Sequence, residues 1–308
     1  MMAPEYYIFT GRDGERVPRH VTHVIIAEAL KFVPARAFFG HPNIKEVICH
    51  DEVEKIEQEA FHHCPSLRRI IMPGVKKVET WAFGISRALS YIECGKLERI
   101  GKYAFGGCES LSSIDLPSTK IVKRWAFQGC GNLINANFGK NLESIRALAF
   151  HDCPSLERIA LPLKFGMTID DSVFQYCDKL NRVDLVGGVH ETVSALLLEE
   201  WKNDMNEEIE SVNLILPNTS SGDFRYDDNG EKAREIRTWI TSVLHKYIHY
   251  TEKHRSYLNV AAATLQSSLP NDVVLKNVLP FLELPSDTCA ADDDDESDDI
   301  PLAALRLR

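Results

Sequence analysis

A phenylalanine recurs at Phe38, Phe61, Phe83, Phe105, Phe127, Phe150 and Phe174, in steps of 23, 22, 22, 22, 23 and 24 residues. The first six follow an alanine and the last follows Val173. Five residues before each stands Val33, Ile56, Val78, Ile100, Val122, Ile145 or Ile169, and six after stands Ile44, Leu67, Leu89, Leu111, Leu133, Leu156 or Leu180. Nine after comes Val47, Ile70, Ile92, Ile114, Ala136, Ile159 or Val183, and eleven after comes Cys49, Met72, Cys94, Leu116, Phe138, Leu161 or Leu185. A fixed period with apolar residues at fixed offsets is the mark of a repeat architecture, in which one unit cannot bury its apolar face alone and is held by its neighbours.

Residues 96–117 give the unit most clearly, with Leu97, Ile100, Ala104, Phe105, Cys108, Leu111, Ile114, Leu116 and Pro117 in place. This unit resembles the leucine-rich repeats of the BspA-like class, L-x-x-I-x-x-x-A-F-x-x-C-x-x-L-x-x-I-x-L-P, over residues 21–188. The resemblance implies an α/β solenoid: a right-handed leucine-rich-repeat superhelix whose L-x-x-I-x-L segments, eight of them counting Val21, Val24 and Ile26, form a parallel concave sheet. Alternation along a strand independently puts Ile114 and Leu116 inward and Ser113 and Asp115 outward.

Before the repeats, Tyr6, Tyr7, Ile8 and Phe9 lead into Gly11, Asp13 and Gly14. An aromatic, β-branched run followed by Asp-Gly predicts a strand and hairpin turn, so residues 1–20 read as an N-terminal cap hairpin over the open end of the core. After residue 188 the period breaks into a helical C-terminal region, 189–286. Val193, Leu196, Leu197, Trp201, Met205 and Ile209 predict one helix ending before Pro217. Ile236, Trp239, Ile240, Val243, Leu244, Tyr247, Tyr250 and Leu258 predict a longer one over 231–269 that packs antiparallel to it. A shorter helix over 271–284 is interrupted by Pro280, and residues 287–308 read as an acidic, disordered tail.

The net charge of −10 is localised: Asp287, Asp292, Asp293, Asp294, Asp295, Glu296, Asp298 and Asp299 supply eight negative charges, leaving −2 elsewhere. A nearly neutral repeat region argues against nucleic acid as partner, since phosphate binders present a basic face. No run approaches the roughly 18–20 apolar residues of a membrane span, and residues 1–20 hold no apolar signal core. The expected setting is cytoplasmic or nuclear, with no membrane partner and a monomeric state. The eight cysteines include no C-x-x-C pair, which argues against a disulfide framework.

Three positions after each repeat phenylalanine stand His41, Cys64, Ser86, Cys108, Cys130, Cys153 and Cys177. A column of small, weakly polar groups suits a tight turn whose S–H or O–H bonds a carbonyl of the neighbouring unit. No metal site is expected, because zinc needs clustered thiolates.

Two surfaces are candidate sites. The outward sheet positions Arg69, Ile71, Tyr91, Glu93, Ser113, Asp115, Asn135, Asn137, Arg158 and Arg182 make a mixed polar face suited to a protein partner. Two residues before the phenylalanines, Trp81, Tyr103, Trp125 and Leu148 align as an aromatic column. That column either stacks against its own repeats or serves as a contact strip for the C-terminal helices or a partner. Catalysis is not expected, since G-x-S-x-G, H-E-x-x-H, P-loop and G-x-G-x-x-G patterns are all absent from the sequence. No cofactor is expected either.

The expected function is therefore a non-catalytic protein–protein interaction scaffold. An alternative comes from residues 269–282, where Leu269-Pro270 precedes Val273, Val274, Leu275, Val278, Leu279 and Leu282. That stretch resembles the opening helix of an F-box, and the resemblance implies a ubiquitin-ligase substrate adaptor.

Overall fold

The structure, a computed structural model, describes residues 6–12, 14–219 and 230–268. Each repeat unit makes one turn of a parallel β-solenoid, and seven turns carry the repeat phenylalanines.

Two stacks of parallel strands run the length of the solenoid. The front stack holds β1 (Tyr6–Phe9), β2 (His23–Ile26), β4 (Glu46–Ile48), β6 (Arg69–Ile71), β8 (Tyr91–Glu93), β10 (Ser113–Leu116), β12 (Asn135–Phe138), β14 (Arg158–Pro162) and β16 (Arg182–Val186). The back stack holds seven two-residue strands: β3 (Phe32–Val33), β5 (Lys55–Ile56), β7 (Lys77–Val78), β9 (Arg99–Ile100), β11 (Ile121–Val122), β13 (Ser144–Ile145) and β15 (Thr168–Ile169). Every back strand ends on the buried aliphatic five residues before the phenylalanine, so that column marks a second sheet as well as a core position.

The N-terminal strand corrects one expectation. β1 lies parallel to β2, with Tyr6 opposite His23 and Phe9 opposite Ile26, and does not fold back as a hairpin. It therefore acts as one more rung of the front sheet. Phe9 is buried, and its ring lies 4.7 Å from that of Phe38. From Phe38 to Phe174 the phenylalanines stack in succession at 4.7–6.0 Å, within 3° of parallel between Phe38 and Phe61 and 1° between Phe61 and Phe83. This continuous ring stack is the spine of the core, since the rings bury large apolar areas and each turn supplies the next with its packing surface.

The turns around the spine need left-handed backbone. Two residues before the phenylalanine, Arg36, Glu59, Trp81, Tyr103, Trp125 and Leu148 all take φ between 55° and 63°. Two residues after it, Gly40, His63, Ile85, Gly107, Gly129, Asp152 and Tyr176 take φ between 56° and 71°. Glycine accepts this region freely, whereas β-branched Ile85 is held there by its neighbours.

The front stack has one break. β1, β2, β4, β6 and β8 form one sheet and β10, β12, β14 and β16 another. The repeat stays 22 residues long across the break, and the back sheet runs through it without interruption. Ser90 N–H donates to Arg68 O and Ile134 N–H to Ser112 O, but no corresponding bond joins Ser112 N–H to Ser90 O. At the same level Met72 N–H bonds Glu93 O at 2.9 Å, whereas Asp115 O is met by the Cys94 thiol at 3.7 Å.

Beyond the solenoid, the predicted single helix over 190–216 is two: α1 (Val189–Ser194) and α2 (Glu199–Ile215). Leu198 is extended, with φ −107° and ψ 133°, and this turn lays α2 along β16. The long helix α3 (Glu231–Ser268) packs on α2, with Trp239 Nε1 donating to Glu208 O at 2.8 Å. Asp204 accepts from the Tyr250 hydroxyl at 2.7 Å and from Lys246 at 3.1 Å, and these bonds hold its carboxyl below its usual range.

The helices also close the hydrogen bonds that the last turn leaves open. Val183 N–H donates to Asn213 Oδ1 at 2.9 Å, Lys232 Nζ to Leu180 O at 2.7 Å, and Arg237 to Ile169 O at 2.7 Å. Arg237 also pairs with Asp171. No helix among the described residues is long and apolar enough to cross a membrane. The 271–284 helix, the F-box-like stretch 269–282 and the tail 287–308 lie outside the described residues.

Candidate interaction surface

The column of thiols is settled by geometry. Each Sγ or Oγ points back across a turn to the carbonyl of a phenylalanine: Cys64 to Phe38 (3.0 Å), Ser86 to Phe61 (2.7 Å), Cys108 to Phe83 (3.4 Å), Cys130 to Phe105 (3.2 Å), Cys153 to Phe127 (3.2 Å) and Cys177 to Phe150 (3.0 Å). All seven described cysteines are buried and unpaired. Burial pushes the thiols of Cys49, Cys64 and Cys94 up to about 12, so at neutral pH they carry no thiolate with which to attack or bind metal. Among the described residues no group of three His, Cys, Asp or Glu is placed to hold a metal ion.

The front face takes its order from strand register, which sets Glu46, Arg69 and Tyr91 side by side and, past the break, Ser113, Asn135, Arg158 and Arg182. The next outward column runs Ile48, Ile71, Glu93 and then Asp115, Asn137, Ala160, Asp184. Contacts divide this face into three groups. On β1 to β8, the Tyr6 hydroxyl donates to Glu46 at 2.9 Å, Arg69 approaches Glu46 at 3.4 Å, and the Arg69 guanidinium lies 4.8 Å from the Tyr91 ring centroid. Next, Asn137 donates to Asp115 at 2.7 Å. Finally, Asp184 accepts from both Arg158 and Arg182. Tyr6 and Asp184 thus complete networks among the candidate residues. Ala160, outward by alternation, is buried.

Tyr91 stands out because it is 47% exposed and sits on β8, at the edge of the break. Beside it Ile92 is half-buried, whereas its equivalents Ile70 and Ile114 are buried. The break therefore brings together an exposed aromatic ring, a half-buried aliphatic side chain and a strand edge without ladder pairing, although β10 still lies beside it.

The aromatic column proves to be a stack on the outside of the turns. Trp81 and Tyr103 lie 4.2 Å apart at 8°, and Tyr103 and Trp125 lie 5.6 Å apart at 11°. His62 meets Trp81 edge-on at 5.3 Å, and His151 meets Trp125 at 5.0 Å. All of these rings are half-buried, as is Leu148. Among the described residues α2 and α3 bond the last turn, at Ile169, Leu180 and Val183, and no hydrogen bond or ring contact joins them to Trp81, Tyr103 or Trp125.

A charge ladder escaped the reading of the sequence. Seven residues before the phenylalanines the chain reads Lys31, Glu54, Lys76, Glu98, Lys120 and Glu143 in strict alternation. Lys76 pairs with Glu54 at 3.0 Å and Lys120 with Glu98 at 3.4 Å. The signal stands at the repeat period, in a column whose one apolar member is Met167 on the last turn.

The BspA type leucine rich repeat region, in six copies, matches residues 19–120 and 87–197, more than half of the chain. The chain belongs to the BspA-type leucine-rich repeat family. Among solved structures, a leucine-rich repeat protein of T. pallidum is 24% identical over 57% of this chain and 83% of its own, with a TM-score of 0.47. One from Bacteroides ovatus is 19% identical over 55% of this chain and 61% of its own, with a TM-score of 0.27. No curated protein matches the chain.

Proposed function

We propose that this protein is a non-catalytic, monomeric scaffold that presents the front face of its repeats to a protein partner. The observation that carries this reading is Tyr91, exposed on a sheet edge left unpaired and backed by the Arg69 guanidinium. Tyrosine and arginine are the residues that most often anchor protein interfaces, because each buries a large area while keeping polar contacts. The surrounding Ser113, Asp115, Asn135 and Asn137 supply the polar rim such an anchor needs. Buried, unpaired thiols suit a reducing compartment, which supports a cytoplasmic or nuclear setting.

Affinity capture with the full chain, followed by quantitative binding of the recovered protein, tests the reading. Tyr91→Ala should weaken that complex at least tenfold, as expected for loss of an anchor worth about 1.4 kcal/mol or more, while Lys202→Ala on α2 leaves it unchanged. A partner that binds wild type and Tyr91→Ala equally would sink the front-face reading.

A further inference from the structure

The back of the solenoid carries a patch of unpaired positive charge. Lys77 and Arg99 are neighbours in the back sheet, and Lys102, Lys123 and Arg124 follow on the same and the next turn. All five are exposed, and none makes an ion pair among the described residues. The nearby acids are already engaged: Glu79 with Lys55, Glu54 with Lys76, Glu98 with Lys120. The aromatic stack borders this patch. Trp81 N–H donates to Lys102 O at 3.0 Å, Tyr103 N–H to Arg124 O at 3.4 Å, and Lys102 Nζ lies 5.5 Å from the Tyr103 ring centroid.

The sequence contains a matching anion, the eight acidic residues between Asp287 and Asp299. We propose that this acidic segment occupies the Lys77–Arg99–Lys102–Lys123–Arg124 patch of its own chain and screens it from other anions. Reach permits it. α3 starts on the last turn and spans about 57 Å, and the turn of Tyr103 lies three turns, about 14 Å, further along. The 24 residues from Ser268 to Asp292 can cover about 80 Å when extended, so the contact closes even if α3 points straight away from the patch. Tethering keeps the local concentration of the segment high, so weak, screened contacts suffice to hold it. Base stacking by a nucleic acid is disfavoured, because the Trp81, Tyr103 and Trp125 rings turn their faces to one another.

The test uses the full chain with Cys289→Ser and Ser297→Cys, carrying a nitroxide label at position 297. At low salt the label should broaden the backbone amide signals of Lys102, Tyr103 and Arg124. The broadening should vanish in about 1 M salt and in the charge-reversed Lys102→Glu, Arg124→Glu variant; Lys77→Glu, Lys123→Glu serves if the first does not fold. Broadening that is absent, or that survives charge reversal, overturns the proposal. A full chain with the eight acids neutralised to Asn or Gln gives a second arm. If it binds a synthetic 287–299 peptide while the tethered segment stays off the patch, the occupant is another protein's acidic segment and the intramolecular contact is wrong. If it prefers a single-stranded oligonucleotide to that peptide at equal ionic strength, the patch is a phosphate site and the proposal fails.

Discussion

Lys232 donates to the carbonyl oxygens of Leu180 at 2.7 Å and Leu216 at 3.2 Å while only 3% of the residue is exposed. A solenoid ends in a layer of unmet backbone acceptors; this ammonium fills one of them, at Leu180, and joins it to Leu216 at the end of α2. Lys232→Met keeps the aliphatic stem but leaves the Leu180 carbonyl without its donor, at a cost of about 2 kcal/mol. Burial lowers the lysine's pKa from its ordinary value, so the unfolded chain holds more protons than the folded one between the two values. Stability owed to this group therefore rises as pH climbs toward 10.5 and falls again as pH drops through the depressed value. Urea titrations at pH 7 and pH 10 should show wild type gaining on Lys232→Met at the higher pH; a constant difference would mean that the lysine is not buried in this way.

The thiol ladder makes a prediction about reactivity. In a Cys289→Ser background the remaining seven cysteines are the buried ones, with Cys49, Cys64 and Cys94 pushed up to about 12 by burial. A thiol reagent at pH 8 should label none of them until denaturant is added. Cys130→Ser should cost within about 1 kcal/mol, since Ser86 already fills the same column and bonds Phe61 O at 2.7 Å. Cys130→Val removes the donor to Phe105 O and adds bulk to a full site, costing about 2 kcal/mol. Thermal unfolding of the two variants side by side gives the comparison.

Ile85 takes φ 57°, where Gly40, Gly107 and Gly129 stand in other turns. A β-branched residue pays on the order of 1–2 kcal/mol to stay in left-handed backbone, and half-burial returns only part of that. Ile85→Gly should raise unfolding stability by about 1 kcal/mol once strain is relieved. A drop of the same size would show that Ile85 is held for its packing.

The repeats were legible because their apolar period, read from Phe38 to Phe174, directly reports a stack of rings and aliphatics. Features that depend on what a strand pairs with were not. The aromatic run at Tyr6 and the turn residues after it have hairpin character, but pairing with His23 in parallel depends on a sheet edge that the local sequence does not describe. The closing contacts of Asn213, Lys232 and Arg237 come from helices far along the chain, and their partners are backbone carbonyls or amides with no sequence signature. For the surface, alternation along each strand identified which residues face outward. Which of them were already engaged, as Arg158 and Arg182 are by Asp184, required coordinates.

The break between β8 and β10 is the feature furthest from sequence view, since residues 83–105 and 105–127 repeat at the same 22-residue step. Its consequence is local and measurable. Ile134 N–H is tied to Ser112 O at 2.8 Å, whereas Ser112 N–H has no such bond to Ser90. Exposed amides exchange through local opening at little free-energy cost, while paired ones wait for a larger excursion. Hydrogen exchange followed residue by residue should therefore find Ser112 exchanging at least tenfold faster than Ile134, with the back-sheet amides of Gly101 and Lys123, bonded to Val78 and Ile100, protected on both sides of the break. Equal protection of Ser112 and Ile134 would close the break in solution and remove the unpaired strand edge on which the Tyr91 site depends.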